Sequence, residues 1–376
     1  MKKTIIILAF GGAHWIGGLY YVKNIAFQLT QNAYITDNYR IAIYTTVENA
    51  PLFSELEDKA DIIIAKKTEG LPGKLEKALV YLFHHVKVAF PAEKSLLGVR
   101  AVSWIPDFQH KHLPEMFPSE LIDERDRNFS AIAQSGNPLV LSSEDAIEDF
   151  KRFYRSDSRV YCVHFVSYIE NYLNTMTASY EDAVLKKHAV EKGRYAVIMN
   201  QFWKHKNHLV ALRAFEQAVK AHPALDLKLV LTGNLSDRRN PEYISEIEAF
   251  LNRPDLQGKL IFLGLIDRQE QLCLMKNAAF VIQPSLFEGW GTVVEDAKVL
   301  DKTILLSDIP VHREQMNEKC VLFAPHDANA LAELIVREGQ KEHHDCVEAG
   351  LANMRSRAAA YSKGFEALLR DLEKNG

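Results

Sequence analysis

The chain has 376 residues, 47% of them hydrophobic and 25% charged, with a formal net charge of -4. That length suits two domains of ordinary size, and the composition excludes a disordered chain. The slightly acidic balance argues against a general nucleic-acid binder, and the four scattered cysteines, with no Cys-x-x-Cys pair, indicate neither a zinc site nor a disulfide framework. A reducing cytosol fits that cysteine usage.

The chain opens on two lysines and the apolar run TIIILAF. That run is at the short limit for a signal peptide, and no small-residue cleavage site follows it. It predicts a buried first strand. No run approaches the ~18 apolar residues of a membrane span, so any membrane contact is expected to be peripheral. The segment YYVKNIAFQLTQN predicts a helix. RIAIYTT, ADIIIAKK, AVSWIPD and PLVLSS predict further strands, and SEDAIEDFKRFY predicts a helix capped by Ser143 with acids in its first turn. Residues 168–190 contain no strand pattern and are expected to link two domains. The alternation then restarts. YAVIMN, LKLVLTGN, KLIFLGL, AFVIQPS, TILLSD and CVLFAP read as strands, with amphipathic segments such as NHLVALRAFEQAVKAH and PEYISEIEAFLNR between them. Two consecutive βα series predict two doubly wound α/β domains with parallel sheets. Their expected bounds are 1–167 and 191–356.

In open α/β sheets, ligands bind beyond the carboxyl ends of the strands. The segments to examine are therefore Gly11–Gly18, Pro106–His112, Gln201–Asn207, Gly233–Asp237, Leu263–Asp267 and Pro284–Asp296. Several chemistries lack their motifs. Gly12-x4-Gly17 is followed by Gly18-Leu19 where a phosphate-binding loop needs Lys-Ser/Thr, which excludes that NTPase motif. No Gly-x-Gly-x-x-Gly follows a strand, which weakens a nicotinamide or flavin dehydrogenase. There is no Asp-x-Asp to clamp a metal and no His-Glu-x-x-His. The pairs His84/His85 and His343/His344 read as surface residues. A helix N-terminus can hold phosphate without metal, through free N–H groups and the dipole. Gly17 and Gly18 stand where the first helix begins, and Lys206 stands just before another helix as a point charge for phosphate.

The stretch PSLFEGWGTVVEDAKVLDKTILLSDIPVHREQ, from Pro284, resembles the signature region of the retaining GT-B glycosyltransferases of family 4, also called glycosyl transferases group 1. IGGLYYVKNIAFQL, WIPDFQHKHLPEMF and NQFWKHKNHLVALRAF resemble three further segments of that family, so the likeness covers most of the chain. It implies a GT-B fold of two Rossmann-like domains facing each other across a cleft. The second would hold a nucleotide-sugar donor and the first most of the acceptor. It also implies a last helix, about 357–376, that crosses back onto the first domain, no divalent metal, no cofactor, and transfer with retention at the anomeric carbon.

The resemblance distributes roles over particular residues. Lys206, with Gln201 where the family has an arginine, would face the diphosphate together with Gly17, Gly18 and the backbone at Gly291 and Thr292. Glu288 would hold hydroxyls of the transferred sugar, with Gly289 and Trp290 beside it, and Gly233 and Ile266 at neighbouring strand ends. Asp107 would orient a sugar or acceptor hydroxyl, and His110 would supply the imidazole lost where Pro106 replaces the family histidine. The family spacing Glu-x7-Glu leads from Glu288 to Asp296, not to Glu295. Helical periodicity agrees. At 3.6 residues per turn, Val293, Ala297 and Leu300 form the sheet-facing stripe, Asp296 lies at its edge, and Glu295 points toward solvent. Asp296 is thus expected on the ribose, and Glu295 as an exposed acid at the helix head.

The implied reaction moves a hexose-type sugar from a nucleotide diphosphate sugar to a glycan acceptor. A lipid-linked oligosaccharide in cell-surface polysaccharide synthesis is the favoured acceptor, and the inner face of the cytoplasmic membrane the expected place. GKLEKALVYLFHHVKVAFPAEKSLLGVR mixes lysines with large apolar residues. It reads either as a membrane-surface segment or as an ordinary amphipathic helix and strand. Another GT-B activity, a nucleotide-sugar epimerase or an inverting transferase, and a non-catalytic bilobal sugar-binding protein stand as alternatives.

Overall fold

The structure is a computed structural model that describes residues 2–12 and 16–374. The chain divides into two compact units. One takes residues up to Phe108, then Glu120–Tyr168, then Met354 onward; the other takes Gln109–Ser119 and Ile169–Asn353.

The first series runs β1 (Lys3–Ala9), α1 (Ile16–Thr30), α2 (Ala33–Asn38), β2 (Tyr39–Thr45), β3 (Asp61–Ile64), α3 (Gly70–Phe83), β4 (Val86–Phe90), β5 (Arg100–Ala101) and β6 (Ser103–Trp104). It continues with α4 (Gln109–His112), α5 (Ser119–Gln134), β7 (Leu139–Leu141), α6 (Glu144–Phe153) and β8 (Val160–Cys162). Strands β3-β2-β1-β4-β5 form one parallel sheet and β6-β7-β8 another. Residues 100–104 join the two. Val102 N–H donates to Ala89 O at 2.9 Å on one side, and Ser103 N–H to Pro138 O at 2.9 Å on the other. In β1, Ile5, Ile6 and Ile7 have no exposed surface, as expected of a strand covered on both faces. Ser143 caps α6, its hydroxyl accepting from Ala146 N–H. The helices α2 and α5 and the short strand β8 have no counterpart among the elements that the sequence pattern predicts.

The second series runs α7 (Glu170–Thr175), α8 (Ala178–Lys187), β9 (Tyr195–Met199), α9 (His208–Ala221), β10 (Lys228–Thr232), α10 (Pro241–Leu251) and β11 (Leu260–Phe262). It ends with α11 (Arg268–Asn277), β12 (Phe280–Gln283), α12 (Thr292–Val299), β13 (Ile304–Ser307), α13 (Pro310–Gln315), β14 (Cys320–Phe323), α14 (Ala328–Gly339) and α15 (Val347–Lys374). Its six strands form one parallel sheet in the order β11-β10-β9-β12-β13-β14. Ile198, Phe215, Leu229, Phe280 and Leu331 lie in its core.

Two segments fall in units that the alternation along the chain does not assign them to. Gln109–Ser119 groups with the second unit although it follows β6, and the 168–190 stretch is two helices of that unit for all but its first residue. The last helix does leave the second series. From Met354 onward it belongs to the first unit, where Phe365 meets Phe90, Ser362 accepts from Asn32, and Glu373 accepts from Tyr34 and Tyr39.

Candidate donor site in the second unit

In the six-stranded sheet the strand order reverses between β9 and β12. The loops leaving these two neighbours go to opposite sides, so a crevice opens at their carboxyl ends. Asn200, just past β9, donates to Gln283 at the end of β12 at 2.8 Å, which ties the two strand ends together. The loop after β9 carries Lys206 and the loop after β12 carries Glu288. Here they meet. Lys206 Nζ lies 2.6 Å from Glu288 Oε1 and 2.8 Å from Oε2.

Both loops are held from below. Asn207 adopts a left-handed conformation (φ 56°), which asparagine tolerates well, and its amide donates to Pro284 O and Pro325 O. Leu286 N–H donates to His205 O at 2.7 Å. Glu288 Oε1 also accepts from Gln283 Nε2 at 2.8 Å and from Ser285 Oγ at 2.7 Å. The carboxylate is 8% exposed. Burial alone would raise its pKa, but the Lys206 ammonium and the hydrogen bonds from Lys206 and Ser285 hold it below the ordinary carboxylate range.

Three buried imidazoles lie around this pair. His312 Nδ1 sits 2.8 Å from Ser307 O, so that nitrogen carries the proton, and burial pushes the ring's pKa down to about 4. His208 stacks on Phe202 and is pushed down to about 3 by burial and by Lys206. His205 is depressed for the same reasons. A neutral imidazole adds no competing cation beside Lys206.

The other expected donor residues fall as follows. Gly233 follows β10 with φ +140°, and a Cβ there would stand 2.0 Å from Asn200 O, so only glycine fits. Gln201 turns its side-chain oxygen to Asn234 N–H at 3.0 Å and stitches the loops after β9 and β10 together. Ile266 is half-buried ahead of Asp267, the N-cap of α11. Gly289 is half-buried and Trp290 is 7% exposed. Gly291 caps α12, but its N–H donates to Gln315 Oε1 at 3.1 Å while Gln315 Nε2 donates back to Gly291 O at 2.8 Å. The expected phosphate donor at Gly291 is therefore already bonded; Thr292 is half-buried in the first turn.

Glu295 corrects the periodicity argument. It has no exposed surface, lies 2.9 Å from Lys298 Nζ and accepts from Gln315 Nε2 at 3.0 Å. Asp296 is equally buried and lies 2.6 Å from Arg268 Nη2. A periodicity argument assumes one solvent-facing side. From Val294 to Val299 this helix is buried all round, and each acid is neutralised by its own base. The solvent-facing role expected for Glu295 is overturned. Asp296 is also tied to a cation the spacing did not reveal.

In the first unit, Gly17 and Gly18 lie in the first turn of α1, Gly17 exposed with open space where a Cβ would stand and Gly18 buried. Residues 13–15, which precede this helix in the chain, lie outside the described residues. Asp107 accepts from Arg125 Nη2 at 2.5 Å. His110 belongs to the segment that groups with the second unit. It is 1% exposed and edge-on to Phe117, a packed residue rather than a loop imidazole. His112 instead lies against Phe287, one residue before Glu288, with ring centroids 5.2 Å apart.

Solved structures with this architecture settle the fold. The chain superposes on a glycosyltransferase from Rickettsia africae with a TM-score of 0.65, 15% identity, and 97% of this chain and 99% of that one covered. The fold is GT-B. Anabaena HepE, solved with UDP and glucose, gives 0.65 at 15% identity over 99% and 100% of the two chains. Sucrose-phosphate synthase from Thermosynechococcus elongatus gives 0.66 at 15% identity over the full length of both. Residues 181–351, most of the second unit, match the family model for glycosyl transferases group 1. The O-antigen chain mannosyltransferase RfbU of Salmonella typhimurium is 24% identical over 211 residues. That match spans 50% of this chain and 59% of the relative.

Proposed function

We propose that this protein is a retaining glycosyltransferase of the family 4 type. It would move a hexose-type sugar from a nucleotide diphosphate sugar to a glycan acceptor, a lipid-linked oligosaccharide of O-antigen, capsule or exopolysaccharide synthesis. It would work in the cytoplasm, on the inner face of the membrane, with no metal and no cofactor. The observation that carries this reading is the Lys206–Glu288 pair at the reversal of strand order in the second unit. A cation for phosphate and a carboxylate for sugar hydroxyls share one crevice there. The segment that holds both is the one matching the glycosyl transferases group 1 family model.

In the proposed reaction the acceptor hydroxyl oxygen bonds to the anomeric carbon on the face the diphosphate leaves. The carbon–oxygen bond to phosphate breaks through an oxocarbenium-like state, and the hydroxyl proton passes to an oxygen of the departing diphosphate. Lys206 turns from Glu288 to the diphosphate and stabilises the charge it gains. Glu288, relieved of Lys206 and still held by Ser285 and Gln283, orients the sugar and favours the positive charge developing at carbon. Gln201, Gly17 and Gly18 would contact the diphosphate, Asp296 the ribose, and Asp107 a sugar or acceptor hydroxyl.

The curated relative is named as a mannosyltransferase, so mannose is the first sugar to try. The chain is incubated with nucleotide sugars and a lipid-linked glycan, and the product is examined by NMR. Retention requires the donor's anomeric configuration in the new linkage. An inverted linkage overturns that part. A changed nucleotide sugar with no transfer indicates an epimerase, and no turnover of any donor indicates a binding protein.

A further inference from the structure

Helix α3 is apolar on two opposite faces. Gly73 and Tyr81 are buried toward the body of the first unit. Leu71, Leu75, Leu79, Leu82 and Phe83 are 80%, 61%, 44%, 58% and 78% exposed. At about 100° per residue these five fall within roughly 120° of arc, on the side away from Gly73 and Tyr81. Side chains scattered singly on a surface need no explanation, but five on one helix stripe do.

The surroundings of the stripe are cationic. Lys66 and Lys67 precede the helix, Lys74 lies on it beside the stripe and Lys87 follows, all of them exposed; Lys77 is on the opposite face, half-buried with its ammonium 5.6 Å from the centre of the Tyr81 ring. Of the two acids between Lys66 and Lys87, Glu69 and Glu76, the second is turned inward. It accepts from Lys66 N–H at 2.7 Å and from Tyr44 Oη at 3.3 Å. The helix has 14 residues. At ~1.5 Å rise each it is too short to cross a ~30 Å hydrocarbon layer, and among the described residues no helix is long and apolar enough to do so. A protein partner is a poor match: five side chains are far fewer than the roughly 20–30 residues a side of a standard interface. A second copy would also bring the two sets of lysines together.

We propose that α3 is the surface by which this protein lies on an anionic lipid bilayer. The leucines and Phe83 enter the boundary between headgroups and acyl chains while the flanking lysines meet lipid phosphates. The inference deepens the lipid-linked acceptor reading, yet it stands on the surface of the first unit, and its test needs no turnover. Failure of one therefore does not mimic failure of the other.

The test is flotation of the full chain with vesicles of phosphatidylethanolamine and phosphatidylglycerol, and with vesicles of phosphatidylcholine alone. The protein should float with the anionic vesicles and be released by salt. The Leu71→Ser/Leu75→Ser/Phe83→Ser variant changes only exposed positions. It should keep its circular dichroism and bind at least about tenfold more weakly. Lys67→Glu/Lys74→Glu should remove the preference for anionic lipid. Should the triple variant fail to fold, Phe83→Ser alone makes the comparison. No flotation of the wild-type chain, or undiminished flotation of the apolar variant, overturns the proposal. So does a wild-type dimer that the variant turns into a monomer without any vesicle binding, which would assign the stripe to a second copy.

Discussion

Replacing Lys206 by alanine should damage stability and turnover separately, and the structure indicates how far. The Lys206 side chain is 14% exposed and that of its partner Glu288 8%. Removing one member of a buried pair typically costs about 3–5 kcal/mol, because the other charge is stranded. Glu288 keeps Gln283 and Ser285 as donors, so ~2–4 kcal/mol is expected for Lys206→Ala. For a unit of this size that lowers the melting temperature by roughly 4–16 °C. In the proposed reaction the lost group is one preorganised donor to the leaving diphosphate, worth about 2–4 kcal/mol, or a 30- to 1000-fold fall in kcat/KM. A double variant separates the two effects. Lys206→Met with Glu288→Gln leaves no stranded charge, so it should recover stability relative to Lys206→Ala without recovering turnover. The assays are thermal melting and initial rates of nucleoside diphosphate release. Near-normal turnover in Lys206→Ala, or turnover restored in the double variant, would refute the reasoning.

Three further outcomes follow from the same geometry. His312 titrates at about 4 in the folded chain and near 6.5 when unfolded. The unfolded state therefore binds the extra proton first, and stability present above pH 6.5 is lost as pH falls toward 4. His205 and His208 act in the same direction. Urea unfolding between pH 4 and 7 should show this slope, and His312→Gln should make it shallower; an unchanged slope contradicts the assignment. Gly233→Ala, with a Cβ 2.0 Å from Asn200 O, should leave the protein insoluble or melting well below wild type, and a normal melting curve would mean the loops after β9 and β10 are not packed as described. Glu295→Gln and Asp296→Asn should both destabilise, since each acid is buried against its own base. Only Asp296→Asn should weaken nucleotide binding measured by calorimetry, and the reverse pattern would shift the register of the ribose contact by one residue.

The strand alternation was legible because parallel strands buried on both faces read as short apolar runs, as in TIIILAF and AFVIQPS. Lys206 was legible as a cation ahead of a helix and Glu288 as an acid beyond a strand, but their pairing was not, since 82 residues separate them and no local pattern announces their meeting. Asn200 and Gln283, which tie the two strand ends, carry no motif at all. Arg268 beside Asp296 and Arg125 beside Asp107 are likewise contacts that only the folded chain supplies. Periodicity failed at α12 because it finds a helix's stripe but assumes the far side is wet. It left α3 ambiguous for the complementary reason: the pattern of leucines does not say which apolar side the sheet takes. Nothing in the composition of Gln109–Ser119 indicates that it groups with the second unit.

The proposed donor site at Lys206 and Glu288 is tested most directly by titrating the chain with UDP, GDP, dTDP and CMP in a calorimeter. At least one nucleoside diphosphate should bind the wild-type chain, with affinity lowered about tenfold or more in Lys206→Ala, the loss of one charge-assisted contact to phosphate. Absence of binding by every nucleotide, or equal affinity in the two proteins, would contradict the assignment of this pair to a nucleotide-sugar donor.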